Sequence, residues 1–209
     1  MTRTGLVALL LSIFCASAWA EPVRVPYAKA PVMVDGQLGN REWSDAAQFS
    51  LGDRARVFVK QRDGYVYIAI EWLTGDMFTV DAYLAPADGK LYDLHSSAKI
   101  GERTLQNGAW PEEWTWWNNS GWVANWSRVD QWKPVKFMPE KVREFQIARE
   151  RFAGDKWKIM FELMAPADPN WKTYTFPPEA KNNSAENWIT LLLDDSTAQR
   201  RPKPVKSVH

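Results

Sequence analysis

The sequence predicts an all-β fold, an antiparallel β-sandwich that is jelly-roll-like. Short apolar or alternating segments recur at the spacing of β-hairpins. Turn dipeptides such as Asp63-Gly64, which favour tight hairpins, separate some of them. Only one short segment, after Asn40, has the capping residue expected of a helix. About eight or more strands with a single short helix are typical of two packed sheets.

The first 20 residues have the pattern of a secretory signal peptide. Arg3 precedes an apolar run at 6–14, and Ala-Trp-Ala at 18–20 supplies the small residues of a cleavage site. The apolar run is too short to span a membrane, and no later run approaches the length needed. We therefore expect a secreted or periplasmic protein. Its expected organisation is a signal peptide at 1–20, a single β-sandwich domain at 21–198 and a disordered basic tail at 199–209.

Composition narrows the chemistry of the mature chain. The one cysteine, Cys15, lies in the expected signal peptide, which excludes disulfides, thiolate nucleophiles, iron–sulfur clusters and covalently attached haem. Once Arg3 is removed, basic and acidic residues are equal in number. A neutral chain lacks the basic surface of a nucleic-acid binder, so we expect no nucleic-acid partner and no membrane span. Composition does not indicate the oligomeric state.

The elements follow in chain order. A strand candidate at 31–34 leads through a turn to a brief helix at 41–47, which Asn40 caps. The further expected strands are 56–60, 65–72, 79–85, 91–96, 145–149, 156–164 and 187–193. Hairpins are expected across Asp63-Gly64, across 87–89 and across 153–155.

Two of these strands have informative apolar patterns. The strand at 65–72 is apolar on both faces, so it should be central and covered on both sides. The strand at 156–164 has one continuous apolar face, which should point into the core. That face consists of Trp157, Ile159, Phe161 and Leu163.

Tryptophan is concentrated in one stretch, since seven of the 13 tryptophans lie between Trp110 and Trp132. In a strand, Trp110, Trp114 and Trp116 would share one face. Indoles interleaved with Asn, Ser and Glu form a surface that is apolar and hydrogen-bonding at once, which suits the faces of sugar rings. For any single tryptophan, burial in the core is the alternative.

We expect a carbohydrate-binding site to be built from this stretch. Its expected residues are Trp114, Trp116, Trp117, Trp122, Trp126, Arg103 and Asn118. Further polar candidates are Glu102, Glu112, Glu113 and Asn119. Ring stacking would supply contact area, and the polar groups would orient the hydroxyls. For each polar residue the alternative is an ordinary loop surface.

Several motifs resemble those of family 9 carbohydrate-binding modules and of the wider DOMON-like superfamily. They are Asp35-Gly36-Gln37-Leu38 followed by Trp43, the strand 65–72 followed by Asp76, the segment 81–84, and the segment 156–163. The resemblance covers nearly the whole mature chain in the right order. It implies a β-sandwich that binds sugars between aromatic rings, often with structural calcium, and catalyses nothing.

A second branch of the same superfamily remains open as the alternative. Segments 70–76 and 113–116 are similar to the haem-binding subunit of ethylbenzene dehydrogenase and related periplasmic b-type cytochromes. That resemblance implies haem b and electron transfer. By residue type, His95 or a methionine such as Met77 or Met138 could serve as an axial ligand. We expect no cofactor, with haem b and calcium as the open alternatives. Calcium would use the oxygens of Asp76, Asp81, Asp88 or Asp93.

His95 is the residue most suggestive of catalysis, because Asp93 precedes it and Ser96 and Ser97 follow it. A strand, however, sends neighbouring side chains to opposite faces, and the chain has no G-x-S-x-G nucleophile motif. We therefore expect no enzyme. A zinc site is not expected either, since His95 and His209 are the only histidines.

Overall fold

The computed structural model describes residues 21–39, 41–75, 77–116, 121–125 and 140–193. The expected signal peptide at 1–20 and basic tail at 199–209 lie outside this part. The described chain folds as two β-sheets packed face to face, which confirms the all-β sandwich. Within it there is a 3-10 turn at Ala185–Asn187 and no α-helix, so no helix there is long and apolar enough to cross a membrane.

The described strands are numbered in chain order. They are β1 (Val23–Arg24), β2 (Ala47–Leu51), β3 (Ala55–Arg62), β4 (Tyr65–Trp72), β5 (Thr79–Ala85), β6 (Tyr92–Ser96), β7 (Ile100–Thr104), β8 (Thr115–Trp116), β9 (Trp122–Ala124), β10 (Val142–Ala148), β11 (Lys156–Ala167), β12 (Asn170–Phe176) and β13 (Ile189–Leu192).

The strands divide into a larger and a smaller sheet. The larger sheet has the order β1-β13-β11-β5-β6-β7-β8, and β12 pairs with the second half of β11. The smaller sheet has the order β2-β3-β4-β10-β9. Strands β1 and β13 run parallel, while the other strand pairs described are antiparallel.

The core lies between the sheets and follows the alternation of the sequence. The inward face of β11 is fully buried from Trp157 to Leu163, as its apolar pattern predicts. Opposite it, Ile68 and Ile70 of β4 enter the same core. Tyr67 on the other face of β4 packs in a second apolar cluster with Trp43, outside the sandwich. The prediction that this strand is central and covered on both sides is therefore confirmed.

Two expected hairpins are confirmed. Strands β3 and β4 pair across Asp63-Gly64, where both residues have positive φ angles of 50° and 86°. Such a pair of angles belongs to a type I′ turn, whose twist matches that of the flanking strands. Strands β5 and β6 form the second hairpin, around Gly89.

The expected hairpin across 153–155 is wrong. Strand β10 pairs with β4 and β9 in the smaller sheet, whereas β11 pairs with β5, β12 and β13 in the larger one. The chain between them changes sheet, and Phe152 is fully buried on the way. Both strands have one apolar face, and these faces meet across the core instead of lying side by side.

The expected helix at 41–47 and strand at 31–34 are also wrong. Residues 41–45 form turns, with Arg41 at a φ of 69°, and β2 begins at Ala47. The residues from Ala47 onward, which would have continued a helix, instead pair with β3 as strand β2. The segment 31–34 has no strand partner in the described chain; its Val32 and Val34 pack on the apolar cluster around Trp43.

Candidate functional site

The outer face of the larger sheet brings ionisable side chains together where β5, β6 and β7 lie side by side. Register places Asp81 opposite His95, and Asp93 opposite Arg103. On the other side of β5, Glu162 of β11 lies opposite Asp81. We call these residues, together with Tyr83, the outer-face cluster. Alternation sends their inward neighbours, such as Leu94, into the core.

Hydrogen bonds link the members of the outer-face cluster. Arg103 donates through Nε to Asp93 Oδ2 at 2.8 Å. The Tyr83 hydroxyl donates to Glu162 Oε2 at 3.0 Å. Asn182, from the segment that covers this part of the sheet, donates to Glu162 Oε1 at 3.4 Å. These bonds fix the orientation of each polar group.

Burial changes the protonation of the cluster. Burial, and next the negative charge of Asp81, raise the pKa of Asp93 to about 8, although the ion pair with Arg103 opposes the rise. Burial likewise raises the pKa of Glu162. A carboxyl group with a raised pKa takes up a proton more readily, so the face has less negative charge than its composition suggests. Asp93 Oδ1 is buried and has no hydrogen-bond partner among the described residues.

Beside the cluster, Trp110, Trp114 and Trp116 form what we call the tryptophan ledge. The rings of Trp114 and Trp116 are stacked, with centroids 5.4 Å apart and planes 24° from parallel. The guanidinium of Arg103 lies 4.2 Å from the Trp114 ring centre and 5.4 Å from that of Trp110. Trp116 is 43% exposed, Trp114 less so. The shared face predicted for these three tryptophans agrees with this arrangement.

Gly101 on β7 makes room for the two stacked rings. A Cβ atom at this position would lie 2.6 Å from Trp116 Cε3 and 3.3 Å from Trp114 Cε3. Both indoles therefore lie directly over the backbone of the sheet. Trp110 is anchored separately, since its ring is 5.4 Å from that of Tyr83 and its Nε1 donates to Asn182 Oδ1 at 3.3 Å.

The structure separates the remaining expected site residues into three groups. Trp117, Trp126, Asn118 and Asn119 lie outside the described residues. Glu112 and Glu113 are exposed and come between Trp110 and Trp114 in the chain. Trp122 and Glu102 are buried.

Trp122 is a core residue, which corrects its expected place on the ligand surface. Its ring stacks on Phe145 at 6.1 Å, and its Nε1 donates to Glu102 Oε2 at 2.7 Å. Glu102 in turn forms an ion pair with Arg151. Both side chains are buried because β9 and β7 direct them between the sheets, which leaves almost none of their surface for contact with a sugar.

His95 has partners that sequence reasoning missed. Its Nδ1 lies 2.5 Å from Asp81 Oδ1, and its Nε2 lies 2.8 Å from Ser97 Oγ. Neighbours in a strand do point to opposite faces, but His95 and Ser97 are two residues apart and share one face. The two-residue spacing of His95 and Ser97 could have been read from the sequence. The contact with Asp81 depends on the pairing of β5 with β6, which the expected hairpin already contained.

Both ring nitrogens of His95 are engaged by side chains, so haem ligation through Nε2 would require its hydrogen bond with Ser97 to break. Met77 is half-buried, and Met138 lies outside the described residues. For calcium, Asp76 is likewise outside the described residues, and Asp88 accepts a hydrogen bond from the Tyr92 hydroxyl. Within the described part, no group of three or more His, Cys, Asp or Glu side chains is arranged to hold a metal ion.

Comparison of the chain with models of protein families, with curated proteins and with solved structures finds no match. The function is therefore inferred from the geometry of the outer face.

Proposed function

We propose that the outer face of the larger sheet binds a glycan, with the stacked rings of Trp114 and Trp116 as the contact surface. The observation that carries the proposal is this ring pair, because it exposes 43% of Trp116 directly beside a hydrogen-bonded polar cluster. An indole face matches the apolar C–H face of a sugar ring in size and flatness. Polar groups nearby then select the orientation of the hydroxyls.

The polar surroundings favour an uncharged glycan. Burial raises the pKa of Asp93 and of Glu162, which lowers the negative charge of the face, and Arg103 is already bonded to Asp93. The Lys99 ammonium lies 5.3 Å from the Trp116 ring centre on an exposed side chain, so it can donate to a hydroxyl while its other donors remain hydrated. Glu112 and Glu113, which come just before Trp114 in the chain, supply exposed acceptors.

The ledge supports weak binding. Covering apolar surface contributes roughly 25 cal/mol per Å². Two rings therefore supply a few kcal/mol, from which the loss of ligand freedom is subtracted. We expect dissociation constants in the micromolar-to-millimolar range.

A glycan array with matched variants tests the proposal. The protein is applied to immobilised cello-, xylo- and chito-oligosaccharides as wild type, as Trp116→Ala and as Trp171→Ala. Trp171 is the matched control, because it is 47% exposed but belongs to β12, away from the ledge. We expect W116A to lose binding and W171A to keep it. Equal binding by both variants, or no binding of the wild type to any glycan, would contradict the proposal.

A further inference from the structure

Three side chains at the edge of the outer-face cluster form a continuous chain of hydrogen bonds. Asp81 Oδ1 lies 2.5 Å from His95 Nδ1, and Ser97 Oγ lies 2.8 Å from His95 Nε2. In the tautomer that carries the ring proton on Nδ1, Asp81 accepts from Nδ1 and Nε2 accepts from the Ser97 hydroxyl. The Lys99 carbonyl, 3.4 Å from the same Oγ, is a more distant acceptor for that hydroxyl. The order of atoms is that of a Ser-His-Asp nucleophilic site.

The fold holds these groups in place. Asp81 and His95 are cross-strand partners on β5 and β6, and Ser97 follows β6 directly. The Ser97 amide donates to the Lys99 carbonyl at 2.9 Å, which fixes the turn after the strand. The ring of Trp114 lies 5.2 Å from that of His95, and the ring of Trp116 lies 6.0 Å away. The imidazole is thus confined between a carboxyl group, a hydroxyl group and two indoles.

We propose that Ser97 is a nucleophile that His95 and Asp81 activate toward a small acyl ester. In the first step Ser97 Oγ forms a bond to the ester carbonyl carbon while its proton passes to His95 Nε2. The tetrahedral intermediate then breaks its bond to the alkoxy oxygen, which leaves as an alcohol with that proton. Water, deprotonated by His95, attacks the acyl-serine, and the acid is released as the proton returns to Ser97.

Burial sets the class of substrate. Ser97 is 8% exposed and the side chain of His95 13%, so little of either group is accessible, which restricts the proposed substrate to a short acyl group such as acetyl. An ester is the least demanding substrate, because an alcohol leaves more readily than an amine. This inference goes beyond glycan binding and does not rest on it, since the chain of hydrogen bonds involves no sugar.

A fluorophosphonate probe tests the inference on the full chain. Ser97 should form a stoichiometric phosphonyl adduct, located by peptide fragmentation. Ser96 is the internal control, because its hydroxyl donates to the Asn125 carbonyl and has no histidine partner. His95→Gln and Asp81→Asn break the chain of hydrogen bonds at two points. The labelling rate should fall by about 100-fold or more in H95Q, since base catalysis contributes that much.

Hydrolysis of p-nitrophenyl acetate provides a second measurement. It should saturate with substrate in the wild type and be lost in Ser97→Ala. An unlabelled Ser97 in the folded wild type, or equal labelling of Ser96 and Ser97, would overturn the inference. An unchanged labelling rate in folded H95Q or D81N would also overturn it. Because neither probe carries a sugar, a failure of glycan binding leaves these results unaffected.

Discussion

Glu144 is a buried carboxyl that fastens the segment before β2 to the smaller sheet. Its Oε2 accepts from the amides of Asp35 and Gly36 at 2.9 and 2.7 Å, and its Oε1 accepts from Trp43 Nε1 at 3.1 Å. Gly36 has a φ of 81°, and a Cβ there would lie 2.8 Å from Asn125 Nδ2. Asp35, Gly36 and Trp43 of the sequence motif thus all donate to the same carboxyl group, that of Glu144.

The pH dependence of stability should contain a contribution from Glu144. Burial raises its pKa to about 7 from 4.5, and the negative charge of Glu42 adds to the rise, while three hydrogen-bond donors oppose it. Between these values the native state holds a proton that the unfolded state has released. The free energy of unfolding therefore falls as pH rises through this window, by up to about 3 kcal/mol.

Urea unfolding of wild type and Glu144→Gln across that window checks this prediction. Glutamine cannot titrate, so E144Q should show a flatter dependence on pH than the wild type. Other carboxyl groups contribute equally to both proteins and cancel in the difference. Parallel curves for the two proteins would show that Glu144 does not titrate in this range.

Trp122→Ala should destabilise the fold by about 3–5 kcal/mol, because it removes a buried ring and leaves a cavity against Phe145. Glu102 would keep its ion pair with Arg151 but lose the indole donor. Trp116→Ala is the matched control and should change the stability little, since that ring is 43% exposed. Thermal unfolding measures both. A melting temperature unaltered in W122A would contradict the assignment of this residue to the core.

At the scale of elements, the pairing of β7 with β8 determines the position of the stacked rings. Gly101→Ala places a methyl group 2.6 Å from the Trp116 ring, which must move. The methyl group points away from the core, so stability should change by less than about 1 kcal/mol. We expect tryptophan emission to shift and glycan affinity to fall about tenfold or more. Unchanged affinity in G101A would mean that the ring stack is not the contact surface.

A glycine substitution in the β3–β4 turn should have the reverse effect of Gly101→Ala: it should lower stability and leave glycan binding unchanged. Gly64 has a φ of 86°, and a Cβ there would meet no atom within 4 Å. Gly64→Ala should therefore cost about 1 kcal/mol of stability through backbone strain alone. Glycan binding should be retained, because this turn is not part of the ledge. Chemical unfolding and the same binding assay check both expectations.

Across the whole molecule, local patterns predicted which segments are strands better than they predicted strand partners. Alternate residues from Trp157 to Leu163 are apolar, and because alternate side chains of a strand point to the same face, this pattern predicts which face is buried. The same pattern arises whether two strands lie side by side or face each other across the core. The sequence could therefore not separate a β10–β11 hairpin from the observed crossing between sheets.

Prediction of the site was limited in the same way. Trp114 and Trp116 are two residues apart, which predicts that they share one face of a strand, and in the structure their rings are stacked. Spacing could not show that Trp122 is buried, because an indole suits a core and a ligand surface equally. The contact of His95 with Asp81 needs the cross-strand register as well as the hairpin.

The central claim is that the ring pair of Trp114 and Trp116 binds a glycan, and calorimetric titration tests it most directly. The oligosaccharide with the strongest array signal is titrated into wild type and W116A, and both melting temperatures are recorded. We expect saturable binding to the wild type, none to W116A, and nearly equal melting temperatures. Binding to W116A as tight as to the wild type would contradict the account.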